Sequence, residues 1–403
     1  MGYDLYITYR CLLLFGKMGM IGLHPPKTFY FINCLYVNSN LFNTKFMKIA
    51  QVSPLYESVP PKLYGGTERV VHNLTEALVA QGHEVTLFAS GDSVTSAKLV
   101  PACKKALRLD PDCIDSLVQH FSLMEMVQKE SHHFDIIHSH IDYLFFPIMR
   151  RSEHAYITTL HGRLDLPELQ PLYKEFREIP LVSISNSQRK PIPYAKWMGT
   201  VYHGLPLDLY HFNEAGGKYL AFVGRISPEK RIDRAVEIAI KAGVPLRIAA
   251  KVDKADQEYY ETKIKHLLDH PLVEFIGEVG EKDKEELLGN ALGLIYPIDW
   301  PEPFGLAMIE AMACGTPVIA YNCGSVPEVI DEGQTGFVVN SQEEAVKAVL
   351  NLSAVSRKTC REIFEKRFSV QRMADDYLAI YESLLIKNKT RSLEPEIKKT
   401  FSA

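Results

Sequence analysis

The sequence is short of the features that mark the specialised protein classes. Its 403 residues carry 45 Lys and Arg against 49 Asp and Glu, a net charge of −4. That leaves no basic footprint for a phosphate backbone, so nucleic-acid binding is not expected as the main role. Cysteine is sparse: Cys11, Cys34, Cys103, Cys113, Cys314, Cys323 and Cys360 are odd in number and never spaced as CxxC. This argues against a disulfide framework or a structural zinc site and points to reduced thiols in a cytoplasmic protein. No apolar run approaches the roughly 20 residues that span a bilayer, so a soluble chain is expected, with at most weak association at the inner membrane surface. The stretch "CLLLFGKMGMIGLHPP" is interrupted by Lys17, has no small-residue cleavage site and runs into Pro25 and Pro26. It makes a poor signal peptide, and residues 1–46 read as a disordered extension or a misplaced start ahead of "MKIAQVSPLYE" rather than an anchor.

What is present is an ordinary globular balance, 46% hydrophobic and 23% charged, on a chain long enough for two domains. From Met47, short β-branched runs (KIAQVS, EVTLFAS, DIIHSH, AYITTL, LVSIS) alternate with helix-length polar segments. The pattern restarts with YLAFVG, LRIAA, VEFIG, GLIYPI, PVIAY and GFVV. Alternation of this kind predicts an α/β fold of two doubly wound, Rossmann-like domains with parallel sheets. The expected division is 47–206, a linker at 207–217, 218–370, a C-terminal helix at 371–388 and a polar tail at 389–403. Ligands of such sheets bind outside the carboxyl ends of the strands, which makes the cleft between the domains the default site.

Several strand-end motifs bear on chemistry. Gly65 and Gly66 in "YGGTERV" precede a helix expected from Thr67 to Gly82; paired glycines admit a ligand close to the backbone, and the helix N-terminus favours an anion. Arg225 and Lys230 in "FVGRISPEKR" could clamp a diphosphate, or be solvated cations beside Glu229 and Asp233. The segment Gly305–Ala313 is helix-forming and apolar on almost every face, yet carries one charge, Glu310. A carboxylate there must be paired, neutralised or aimed into a polar-filled cavity.

Together these motifs resemble the retaining glycosyltransferases of family 4, with the two-domain GT-B fold, over Met47 to about Tyr381. Glu302 and Glu310 form that family's E-x7-E signature inside "EPFG" and "EAMACGTPVIA", and "GRISPEKR", the GG loop, "HSHIDYL" and "VPEVIDEGQTGFVV" follow in order. Within the family the chain is similar to a bacterial subgroup named after an avilamycin-biosynthesis enzyme. The resemblance implies that Glu310 binds the nucleotide ribose. It puts Glu302 beside the transferred sugar, and turns the amides of Phe304, Gly305 and Leu306 toward sugar hydroxyls and phosphate. Arg225 and Lys230 would neutralise the leaving diphosphate, Gly66 would approach it from the other domain, and His140 would lie near the donor sugar. It also implies a nucleotide-sugar donor, UDP-linked by expectation, a hydroxyl acceptor of unknown identity, and neither metal nor cofactor. His161 and Lys251 have no assigned role; "IAAKVDKAD" replaces the glycine-rich turn common in the family, which leaves the nucleotide open.

Three other readings compete. His138, His140 and Asp142 in "HSHID" imitate part of a dinuclear metallohydrolase pattern, with Tyr143 where its last histidine would be. A nucleotide-sugar 2-epimerase would share the architecture, though the E-x7-E signature speaks against it, and a non-catalytic nucleotide-sugar sensor would bind without transfer. The "DPD" at Asp110–Asp112 looks like a metal-binding DxD but reads as a helix start.

Overall fold

The computed structural model describes residues 46–62 and 65–401. The expected extension at residues 1–46 therefore lies outside them, but for Phe46. Two parallel sheets are formed. The first contains β1 (Lys48–Val52), β2 (Glu84–Ser90), β3 (Lys98–Cys103), β4 (Ile136–Ser139), β5 (Tyr156–Thr159), β6 (Leu181–Ser183) and β7 (Trp197–Thr200), in the order β3-β2-β1-β4-β5-β6-β7. The second contains β8 (Leu220–Arg225), β9 (Leu246–Lys251), β10 (Val273–Gly277), β11 (Gly293–Tyr296), β12 (Val318–Tyr321) and β13 (Gly336–Val339), in the order β10-β9-β8-β11-β12-β13. The strand order reverses direction between β1 and β4, and again between β8 and β11. These switch points are where doubly wound sheets open a crevice for a ligand.

Every expected strand forms. β4, β5, β11 and β12 are buried along their whole length, so none shows the in–out alternation of a strand with one solvated face. Two strands were not anticipated, β3 and β7. Both lie at sheet edges and are half-exposed, and Pro101 and Gly199 dilute their apolar signal.

Six helices matter for the site: α1 (Gly66–Ala80), α2 (Ser116–Glu130), α3 (Ile232–Ala242), α4 (Glu281–Gly289), α5 (Leu306–Ala313) and α6 (Val370–Phe401). α1 covers the expected span and stops ahead of Gly82, whose φ of 87° no β-carbon tolerates well. Asp110–Asp112 is not a helix start. The Asp110 carboxylate closes a local turn by accepting from the Asp112 amide at 3.0 Å, while α2 begins only at Ser116, with Asp115 capping the Leu117 amide at 2.9 Å. The expected polar tail is also corrected, because α6 continues through it to Phe401.

α6 crosses back from the second domain to the first. Met373, Ala374, Tyr377, Tyr381 and Leu384 share one face at helical spacing and pack with Ile49, Val70, Leu74, Ile136 and Ile157. The opposite face of the first sheet is covered by a cluster that includes Phe88, Leu123, Ile137, Phe145 and Phe146. The chain thus passes between domains twice, and the two crossings are joined: the Leu205 amide donates to Phe368 O and the Val370 amide to Leu205 O, each at 2.9 Å.

Candidate active site

The strand ends of the two sheets face one cavity of about 540 Å³, a size suited to a small ligand. The first domain contributes Gly65, Gly66, Thr67, Arg69 and His161, and the second Arg225, Lys230, Lys251, Glu302, Phe304, Gly305, Leu306 and Glu310. Nine of the ten site residues read from the sequence therefore meet on one wall or its opposite. His140 is the exception.

Two helix N-termini converge here. Gly66 opens α1 and Leu306 opens α5, and a β-carbon on Gly66 would stand only 3.7 Å from Leu306 Cδ1. Their free amides and positive dipole ends favour an anion. Gly305 precedes α5 with φ 83°, and a β-carbon there would come within 2.7 Å of Met308 Cε, so the turn requires glycine. The turn is fixed from outside by Ser325, whose amide donates to Glu302 O at 3.0 Å and whose hydroxyl donates to Phe304 O at 2.8 Å.

The cations are held in different ways. Arg225 ends β8 in register with Lys251 at the end of β9. Its guanidinium lies 2.5 Å from Glu229 Oε1, 3.4 Å from Asp256 and 3.8 Å from Asp253, while Lys251 Nζ is 2.5 Å from Asp253. Lys230 is not the solvated side chain that a surface role requires. Its Nζ sits 2.5 Å from Glu302 Oε2 and 3.2 Å from Tyr296 Oη, over the Trp300 ring at 5.1 Å. Asp233 pairs with Arg231 instead.

The buried Glu310 finds its partner in Lys284 of α4, at 2.6 Å, with only 4% of the glutamate exposed. Lys284 is also 3.1 Å from Glu281, which lies 2.5 Å from Arg69 of the first domain. A ladder of alternating charge thus runs from α1 across the cleft to Glu310. Sequence reading missed Lys284 and Arg69: "EKDKEE" resembles a solvated helix face, and no spacing links it to Glu310.

Histidines line the first domain's side. His161 reaches the cavity, and His140 stands one layer behind it. The His140 ring turns over the sheet end, its Nδ1 2.9 Å from His161 Nε2 and its Nε2 2.9 Å from Gln51 Oε1. His138 is buried deeper, 2.6 Å from Tyr381 Oη and 2.7 Å from Thr159 Oγ1. Burial holds both rings well below the ordinary histidine range, and pushes His161 down to about 3. These rings are neutral hydrogen-bonding groups at physiological pH. The metallohydrolase reading finds no support, because every nitrogen of His138 and His140 is already taken by a protein partner. Asp142 is half-buried, desolvation pushes its carboxyl up to about 6, and no cluster among the described residues could hold a metal ion. Nor, among those residues, is any helix long and apolar enough to cross a membrane.

Residues 64–199 match the family described as Glycosyltransferase Family 4, and residues 211–366 match Glycosyl transferases group 1. The chain is a family 4 glycosyltransferase. Spore coat protein SA of Bacillus subtilis is 26% identical over 386 residues, covering 83% of this chain and 99% of that protein. Among solved structures, AviGT4, a glycosyltransferase of avilamycin A biosynthesis, superposes with a TM-score of 0.66 at 22% identity, covering 84% of this chain and 98% of that one. The Anabaena protein HepE, solved with UDP and glucose, gives 0.65 at 17% identity, over 84% and 100% of the two chains. Both structures share the GT-B fold with this glycosyltransferase. The assignment supports a transferase enzyme.

Proposed function

We propose that this glycosyltransferase moves a hexose from a nucleoside-diphosphate sugar, with UDP as the expected nucleotide, to a hydroxyl acceptor, with retention and without a divalent metal. The observation that carries the reading is the convergence of two helix N-termini, Arg225 and Lys230 on one cavity that also holds Glu302 and Glu310. That set suits a diphosphate at the centre, and Glu310 suits a ribose whose hydroxyls donate to its carboxylate. HepE, solved with UDP and glucose, favours UDP by likeness of fold.

In this scheme the bond from the anomeric carbon to the diphosphate oxygen breaks, its electron pair staying on the phosphate. The acceptor hydroxyl attacks on the same face and passes its proton to that oxygen. Charge grows on the leaving phosphate, where Arg225, Lys230 and the Phe304–Leu306 amides would stabilise it. Glu302 keeps the Lys230 ammonium in place before the donor enters.

The test is binding of UDP-, GDP- and ADP-sugars by calorimetry, with slow donor hydrolysis followed in excess EDTA. One donor should bind and be hydrolysed at an unchanged rate in the chelator. Failure of every donor sinks the reading, and loss of hydrolysis in EDTA sinks its metal-free part.

A further inference from the structure

His203 lies in the connector after β7, two residues before the crossing at Leu205, and no motif marks it. Only 4% of the residue is exposed, its ring lines the cavity, and its Nδ1 has no hydrogen-bond partner among the described residues. Buried polar atoms are rarely left in that condition without a functional reason. The ring plane is fixed on both sides: it stacks on His161 at 5.4 Å and 17°, and meets the edge of Phe304 at 4.8 Å. A half-turn about χ2 exchanges ring nitrogens and carbons without disturbing that packing, so either nitrogen can be presented to a ligand. Phe304 belongs to the same turn as Glu302 and Gly305, on the wall assigned above to the transferred sugar.

We propose that His203 is a specificity-determining residue of the donor site, forming a hydrogen bond with a hydroxyl group of the transferred sugar. This rests on the proposed function. The chemistry favours a hydroxyl over a phosphate, because burial and the neighbouring His161 and Arg372 hold the imidazole well below its ordinary range and thus uncharged. A neutral ring offers one donor and one acceptor, which matches a hydroxyl and would compensate a phosphate poorly.

The test compares His203→Phe, which keeps the ring stack and removes the nitrogens, with His203→Gln, which restores a donor and an acceptor. The probes are the sugar nucleotide bound most tightly by the native enzyme, its C4 epimer, and the corresponding nucleoside diphosphate. For His203→Phe, affinity for the diphosphate should stay within about twofold, while affinity and kcat/KM for the sugar nucleotide fall about tenfold and discrimination against the epimer shrinks. His203→Gln should recover part of that loss. Equal losses for diphosphate and sugar nucleotide, or native behaviour of His203→Phe, would overturn the proposal and leave His203 a packing residue. Should His203→Phe fail to fold, unchanged epimer discrimination in His203→Leu, which also lacks both ring nitrogens, would overturn it equally. If the native enzyme binds no sugar nucleotide, the function reading itself fails and takes this inference with it.

Discussion

Arg225 and Glu310 line the same cavity but should register differently in kinetics. Ribose is bound alike before and during reaction, so Glu310→Gln should mainly raise the donor KM. Lys284→Gln should do the same, since Lys284 Nζ orients the Glu310 carboxylate from 2.6 Å. Arg225 and Lys230 would meet charge that grows as the bond breaks, so replacing either with alanine should mainly lower kcat, by about 10²-fold. The double variant should lose less than the product of the two, because both act on one diphosphate. Steady-state kinetics with the identified donor decide this; a pure KM effect of Arg225→Ala would remove the electrostatic basis of the mechanism. Glu68 makes a separate case. It is 5% exposed in the first turn of α1, and burial raises its carboxyl from 4.5 to about 7. Below pH 4.5 folded and unfolded chains both hold that proton, so native enzyme and Glu68→Gln should melt alike. Between there and pH 7 the unfolded chain ionises first, so the native enzyme loses stability relative to the variant; above pH 7 the gap is constant. Thermal midpoints at pH 4.5 and 8 check it, and a gap that widens toward acid would contradict it.

At the level of elements, the paired crossings leave no room for a side chain at Gly204. A β-carbon there would stand 2.4 Å from Ser369 O and 3.0 Å from Met373 Cβ, both on the returning chain. Gly204→Ala should therefore force the two strands of the crossing apart and cost about 1–3 kcal/mol, read as a lower denaturation midpoint. A midpoint equal to the native one would mean that the crossings yield easily. Most elements were legible in the sequence because buried parallel strands and amphipathic helices write their packing into residue type. β3 and β7 were not, since edge strands bury too little to impose a pattern. α5 was legible down to its one charge, yet the sequence posed the Glu310 problem without its solution: a salt bridge from α4 leaves no periodic trace. His140 was read correctly as a strand-end histidine, but whether such a ring faces ligand or a neighbouring ring depends on backbone direction after the strand, which sequence does not encode.

For the whole molecule, the two-domain plan follows from the restart of the strand–helix pattern, whereas the links between domains do not. Arg69 with Glu281, and Tyr381 with His138, join residues more than 200 positions apart, and nothing local announces such pairs. The long-range link made by α6 bears on how the protein is made. Synthesis delivers β1 to β7 first, and domains generally fold in that order. Yet one face of this first sheet is sealed by Met373, Ala374, Tyr377 and Tyr381, which emerge last. A nascent chain halted near residue 350 would carry a first domain with Ile49, Ile136, Ile157, Val70 and Leu74 exposed and His138 lacking its tyrosine partner. Until the carboxyl-terminal helix reaches back to it, the amino-terminal half lacks the cover of one apolar face, the condition in which nascent domains are prone to aggregate.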